Sequence, residues 1–195
     1  MRLIFFDIET AGVAYSFENL TPELQKVWIE SAKKPEEYIS SAALIPEFAT
    51  VVCCSFSAGG TPSTKIGIEE IHEAFCRLDG YTPCGWNIKG FDIPFLCKHF
   101  IKNGLKIPKI LSNFQKKPWE VNVIDIMEVW KNNGFSPTKL STACVFMGIE
   151  TPKDEINGGD VHELFHSGEI EKITKYCEKD VIATSIFWEK IKNLL

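Results

Sequence analysis

Four carboxylates spread along the chain have the types and spacings that a pair of divalent cations requires: Asp7 and Glu9 in FFDIET, Asp92 in NIKGFD and Asp180 in YCEKD. Asp7 and Glu9 stand two residues apart at the end of an apolar run, and on a β-strand that spacing puts both side chains on one face. Tyr176 and Asp180, four apart, share a face if they lie on a helix. Cleaving a phosphodiester requires a nucleophilic hydroxide, stabilisation of a phosphorane-like transition state and neutralisation of the departing oxyanion. Two cations about 3.5–4 Å apart supply all three. Mg²⁺ and Mn²⁺ prefer carboxylate oxygens and water to imidazole or thiolate, so an acidic cluster without a matching His/Cys cluster points to these metals. Each carboxylate also has an ordinary structural alternative, as a strand end, a helix cap or part of a solvated helix face.

The elements that must bring these residues together can be read from periodicity. Arg2 to Ile8 is an apolar run ending in acid, which fits a central strand buried on both faces. Thr21-Pro22-Glu23 has the form of a helix start, followed by Leu24, Val27, Trp28 and Ala32 at helical spacing, so residues around 16–48 read as a helical insertion before the next strand. Thr50–Ser57 and Thr64–Ile68, joined across Gly59-Gly60, read as the next two strands of an antiparallel meander. Alternation then begins: a helix over Glu69–Leu78, a strand over Tyr81–Trp86, a helix from Asp92 to about Asn103 closed by Gly104, and a strand over Val121–Ile124 before Asp125. Further helices are expected over Leu140–Met147 and from Glu169 to about Ile191. The pattern predicts an α/β protein with a mixed central sheet flanked by helices, as in ribonuclease H-like folds. A strand pair, a helix-start Asp and a late-helix Asp can converge at one end of such a sheet, where open α/β sheets form their ligand sites.

At 195 residues the chain suits one well-cored domain, 1–195. No apolar run approaches the roughly 20 residues of a membrane span, and nothing resembles a signal peptide. The seven cysteines are odd in number, lack a CxxC pair and lie mostly within apolar stretches, which suggests reduced core thiols of a cytoplasmic protein. The net charge of −5 argues against a large nucleic-acid footprint, but its distribution is uneven. Residues 93–119 hold six lysines and no acid, +6 against −11 for the remainder. This strip reads either as a contact path for a few phosphates or as a solvated helix face and loop.

The ordered set FFDIET, NIKGFD and YCEKD resembles the three motifs of the DEDD 3′-to-5′ exonucleases in their tyrosine subgroup. Asp7 and Glu9 match the first motif, Asn87, Phe91 and Asp92 the second, and Tyr176 and Asp180 the third. The histidine subgroup would need His where Lys175 stands. The likeness is strongest to stand-alone bacterial proteins related to the proofreading domain of B-family DNA polymerases. It extends to Ala43-Leu44-Ile45-Pro46-Glu47-Phe48, to Thr151-Pro152-Lys153 and to Gly158-Gly159-Asp160-Val161. The resemblance implies release of nucleoside 5′-monophosphates from the 3′ end of a single-stranded nucleic acid, DNA ahead of RNA, using two Mg²⁺ or Mn²⁺ ions. It gives Asp7, Glu9 and Asp180 the ion that activates water, and a second ion to Asp7 and Asp92. Tyr176 would orient the water, Asn87 and Phe91 would position the terminal nucleotides, Thr10 would place the terminal sugar through its backbone, and Lys153 would contact substrate. Trimming of RNA and a catalytically silent nucleic-acid-binding module are the alternatives, and no protein partner is indicated. Two features fall outside the resemblance. Asp125 reads as a helix N-cap, with a supporting role near the metals as the other option, and His162 and His166, four apart, lack a third ligand for zinc.

Overall fold

A computed structural model of the chain describes residues 1–113, 116–117, 120–149 and 156–195. Five strands form one sheet in the order β3-β2-β1-β4-β5. They are β1 (Leu3–Gly12), β2 (Ala49–Ser57), β3 (Ser63–Ile66), β4 (Thr82–Gly85) and β5 (Ile124–Asp125). β2 runs antiparallel to its neighbours β1 and β3, and β4 and β5 run parallel to β1, so β1 is the strand at which the two kinds of pairing meet. The helices are α1 (Pro22–Glu30), α2 (Tyr38–Ser41), α3 (Ile68–Cys76), α4 (Asp92–Lys102), α5 (Ile126–Lys131), α6 (Leu140–Phe146), α7 (Val161–His166) and α8 (Ile170–Ile191).

Alternation along β1 divides the molecule into two layers. Ile4, Phe6 and Ile8 pack with Ile71 and Phe75 of α3 and with Ile93, Phe95, Leu96 and Phe100 of α4. Phe5 faces the other way, into a cluster with Ala143 and Cys144 of α6 and Val181, Phe187 and Ile191 of α8. Further along the same face, Ala11 and Cys53 meet Val161 of α7 and Ile173 and Cys177 of α8. The mixed sheet with helices on both sides is the expected ribonuclease H-like α/β fold.

Boundaries moved where pairing overrides local pattern. β1 runs to Gly12, four residues past the expected end, because β2 follows it through an irregularity at Glu9/Thr10 that leaves Val52 unopposed. β3 stops at Ile66, pairing only with Cys53–Phe56 of β2, and β5 is only Ile124–Asp125, pairing with Cys84 and Gly85 at the end of β4. The periodicity of residues 161–166 was too short to reveal α7.

The segment 16–48 is helical as expected and has a core of its own. Leu20, Trp28, Tyr38, Ala42 and Phe48 bury one another, and Trp28 is fully enclosed with its indole N–H donating to the Lys34 carbonyl at 2.9 Å. Trp28→Ala is expected to cost about 3–5 kcal/mol within this unit. Amide hydrogen exchange should then accelerate in α1 and α2 while β1, β2 and α8 keep their protection.

Candidate active site

The site begins at a gap in the sheet. β4 pairs with β1 only over Leu3–Phe5 and ends at Gly85, so beyond Phe5 the edge of β1 that faces β4 has no strand beside it. Alternate residues of an antiparallel strand direct their N–H groups away from the partner, and at Ile8 that N–H donates to Asp92 Oδ1 at 3.0 Å in a buried bond. Asp92, the first residue of α4, is 2 % exposed. The turn that brings it there is tight: a Cβ on Gly85 would lie 2.9 Å from the Phe6 carbonyl oxygen and 2.4 Å from Ile88 Cγ2. Asn87 adopts a left-handed φ of 61°, a conformation Asn tolerates better than most residues.

Asp7 and Glu9 project from the face of β1 that α8 covers. Helical spacing brings Tyr176, Cys177 and Asp180 against them. The Cys177 thiol donates to the Asp7 carbonyl oxygen at 3.3 Å and lies 3.6 Å from Asp7 Oδ2. A second tie fixes α8 to the outer strands: Ser55 and Thr64 hydroxyls are 2.8 Å apart, and Thr64 donates to Glu178 Oε1 at 2.6 Å.

Such close packing of like charges changes their protonation. Asp7 is held well above the ordinary carboxylate range by loss of solvent first, then by Asp92, Glu9 and Asp180. Glu9 is raised by burial, then by Asp180, with Cys53 and Asp92 adding to it. Burial pushes Asp92 up to about 7 against the pull of the Ile8 amide. Tyr176 is raised well beyond the ordinary phenol range by burial, by Asp180, Glu9 and Asp7, and by its hydrogen bond to Asp180. The four carboxylates and the tyrosine predicted from sequence are thus one electrostatically coupled group. Its donor set is all oxygen apart from the Cys177 thiol, and closely packed carboxylates, with Glu9 and Asp92 buried and Asp7 and Asp180 partly exposed, suit hard divalent cations.

Asp125 has a larger role than the cap read from sequence. It does cap α5, accepting from the Met127 and Glu128 amides at 3.1 and 3.3 Å, but its two oxygens also accept from the Asn87 and Lys89 amides at 3.0 and 2.9 Å. One carboxylate, 2 % exposed, therefore shapes the loop that carries Asn87, Phe91 and Asp92. Asn87 packs its side chain over Gly90, where a Cβ would come within 2.6 Å of Oδ1. Phe91 is half-buried, with its ring 5.2 Å from that of Phe95. The Thr10 hydroxyl is used structurally, donating to the Ala43 carbonyl at 2.7 Å. Lys153 lies outside the described residues.

The histidines that lacked a third zinc ligand secure the far end of β1. His162 accepts from the Gly12 amide at 3.1 Å through Nδ1 and lies 2.9 Å from the Tyr15 carbonyl through Nε2, while His166 Nε2 lies 3.0 Å from the Gly12 carbonyl. Within the basic strip, Lys106, Lys109 and Lys116 lie away from the site. Lys98 pairs with Glu47 at 2.8 Å. Lys106, Lys109 and Lys116 surround hollows beside Asp79, Gly80 and Tyr81, just before β4 and at the opposite end of the sheet from Asp92. Lysines consecutive in sequence were separated by the turn after α4.

Residues 61–194 match a family described as predicted 3′-5′ exonucleases related to the exonuclease domain of PolB. An uncharacterized protein of Methanocaldococcus jannaschii is 31 % identical over 118 residues, covering 57 % of this chain and 62 % of that relative, so the match spans less than two thirds of its length. Among solved structures, the family B DNA polymerase of the hyperthermophilic archaeon Pyrobaculum calidifontis superposes with a TM-score of 0.68 at 17 % identity over 98 % of this chain and 24 % of the polymerase. A product-bound exonuclease I superposes with a TM-score of 0.53 at 13 % identity over 98 % of this chain and 43 % of that protein.

The charges and hydrogen bonds of the site set the stability of the metal-free chain. Because Asp92 binds its proton more tightly folded (about 7) than at its ordinary 3.8, and Asp7 and Glu9 shift the same way, the folded chain holds more protons than the unfolded one between these values. Its metal-free stability should fall as pH rises from about 4 to about 7, read as a declining melting temperature in EDTA. Asp7→Asn should raise that temperature near neutral pH by about 2–8 °C, equivalent to ~1–2 kcal/mol. Asp125→Ala should instead lower stability by about 2–4 kcal/mol in urea unfolding, because four amides lose a charged acceptor.

Proposed function

We propose that this chain, which belongs to the family of predicted 3′-5′ exonucleases related to the exonuclease domain of PolB, is a single-domain enzyme that hydrolyses the 3′-terminal phosphodiester of single-stranded DNA. The product is a nucleoside 5′-monophosphate. The observation that carries this reading is the convergence of Asp7 and Glu9 from β1, Asp92 from the start of α4, and Tyr176 and Asp180 from α8 on one gap in the sheet.

Two Mg²⁺ or Mn²⁺ ions, when bound, would supply the hydroxide and the charge needed at the departing oxygen. Asp7, Glu9 and Asp180 would hold one and Asp7 with Asp92 the other. Tyr176 stays protonated throughout the neutral range, given the direction of its shift. Its hydroxyl therefore acts by hydrogen bonding, orienting the attacking water rather than removing its proton. Asn87 and the exposed part of Phe91 would position the terminal nucleotides by hydrogen bonding and stacking. The Thr10 backbone would meet the terminal sugar, its hydroxyl being held by Ala43. Lys153 is kept as a substrate contact on the sequence likeness alone. Among the described residues no helix is long and apolar enough to cross a membrane, and reduced thiols beside the carboxylates suit the cytoplasm.

The test uses 3′- and 5′-labelled single strands of DNA and RNA with Mg²⁺, Mn²⁺ or EDTA. Metal-dependent shortening from the 3′ end, faster on DNA, is expected. Asp7→Ala should lower the rate about a thousandfold, or ~4 kcal/mol of barrier, and Tyr176→Phe about ten- to a hundredfold. Faster shortening of RNA would move the reading to an exoribonuclease. Metal-independent binding of strands without shortening would identify a silent binding module.

A further inference from the structure

Cys177 takes no part in the reading above, yet its sulfur faces the same carboxylates. The side chain is fully buried, with Sγ 3.3 Å from the Asp7 carbonyl oxygen and 3.6 Å from Asp7 Oδ2. Ligand atoms of Asp7, Glu9 and Cys177 all lie within 4.8 Å of one another. Glu9 is 8 % exposed, and no described residue donates a hydrogen bond to its carboxylate. An almost buried carboxylate is thus turned towards the same space without a partner.

The spacing is compatible with a tetrahedral cation, and the sulfur donor distinguishes between classes of cation. A tetrahedral ion bonded at about 2.0–2.2 Å to oxygen and about 2.3 Å to sulfur separates those two atoms by about 3.5–3.7 Å. The Asp7 Oδ2–Cys177 Sγ distance of 3.6 Å falls in that interval. An octahedral Mg²⁺ with bonds of about 2.0–2.1 Å separates neighbouring oxygens by only about 2.8–3.0 Å, and it does not take thiolate ligands. Two carboxylates and a thiolate, one donor atom each, form a mixed set suited to a softer ion.

We propose that Asp7, Glu9 and Cys177 constitute a second metal-binding mode in this crevice, capturing a thiophilic divalent cation of the Zn²⁺ class with the Cys177 thiolate as a ligand and so arresting the nuclease. The ion replaces the thiol proton, which leaves to solvent as one proton for each Cys177–metal bond formed, and nothing is oxidised or reduced. Asp7 is thereby committed to an ion that Asp92 does not share. The arrest rests on the exonuclease reading, whereas the capture does not.

The probe is Cd²⁺ alone, whose thiolate complexes absorb in the ultraviolet by charge transfer. The full chain is used in a Cys76→Ser background, because Cys76 is an exposed thiol 3.7 Å from His72 Nε2 and can bind the ion itself. A band saturating at one ion per chain is expected, displaced by Zn²⁺ and indifferent to Mg²⁺ at equal concentration. It should disappear in Cys177→Ser and survive in Cys53→Ser, which removes the neighbouring thiol. Glu9→Gln should keep the band and weaken Cd²⁺ binding about tenfold or more. Should Cys177→Ser fail to fold, the Glu9→Gln titration decides, and an unchanged affinity there would overturn the proposal. So would the absence of a band in the Cys76→Ser protein, or a band persisting in folded Cys177→Ser. A Cys177-dependent band in a chain that shortens no strand would remove the exonuclease reading and leave the metal site standing. An active exonuclease without the band would do the reverse.

Discussion

Ile8 donates its amide to a carboxylate because no strand is there to receive it. β4 leaves β1 after Phe5, at the point where an antiparallel neighbour on one side gives way to parallel neighbours on the other. A buried, unpaired N–H costs roughly 1–3 kcal/mol, and Asp92 removes that cost by closing the edge of β1 with a carboxyl oxygen as acceptor. The same divergence opens the crevice beside Asp7 and Glu9. Sheet continuity and site are therefore alternatives on this stretch of β1, and the sequence has resolved the choice in favour of the site.

Gathering four carboxylates there is unfavourable, and the fold must oppose it by other means. Two like charges about 4 Å apart at an effective dielectric of ~20 repel by about 4 kcal/mol. α8 answers with burial: Ile173, Val181, Phe187 and Ile191 are enclosed, at about 1.5–3 kcal/mol each, or roughly 6–12 kcal/mol as an upper figure. The Thr64–Glu178 bond and the Cys177–Asp7 contacts fix the rotation of the helix, so that Asp180 cannot relieve the repulsion by turning away. Protonation takes up part of what remains, as the raised Asp7, Glu9 and Asp92 show.

The parts of this arrangement that were legible beforehand are those set by local periodicity. Asp7 and Glu9 share a face because strands alternate, and Tyr176 and Asp180 share one because helices repeat at 3.6 residues. Both follow from sequence distance alone. The contacts that position them were not legible, since each spans a separation that no window contains. Asp92 meets Ile8 across 84 positions, Cys177 meets Asp7 across 170, and His162 meets Gly12 across 150. Asp125 shows the distinction within one residue: its bonds to Met127 and Glu128 could be inferred from an N-cap pattern, but its bonds to Asn87 and Lys89 could not. Part of the basic strip shows the converse. Lysines contiguous in sequence suggested a contiguous surface, and the chain turned between them.

Beyond the irregularity at Glu9/Thr10, β1 is held by what surrounds it as well as by its pairing with β2. Thr10 binds the Ala43 carbonyl, Gly12 binds His162 and His166, and the Ala14 amide donates to the Tyr38 hydroxyl at 3.1 Å. Every one of these partners comes from the helical segment 16–48 or from α7, and they secure the strand end immediately after the two carboxylates. Leu44, next to the residue that receives Thr10, is 64 % exposed, a large apolar side chain held out from a well-packed unit. The carboxylates are fixed by core helices and a central strand, which permits little variation. The end of β1 beyond them is held instead by a unit with its own core, separate from the clusters that pack α4 and α8. The carboxylates and the strand end that follows them are thus held by two different cores, one built on the sheet and α8 and the other within residues 16–48.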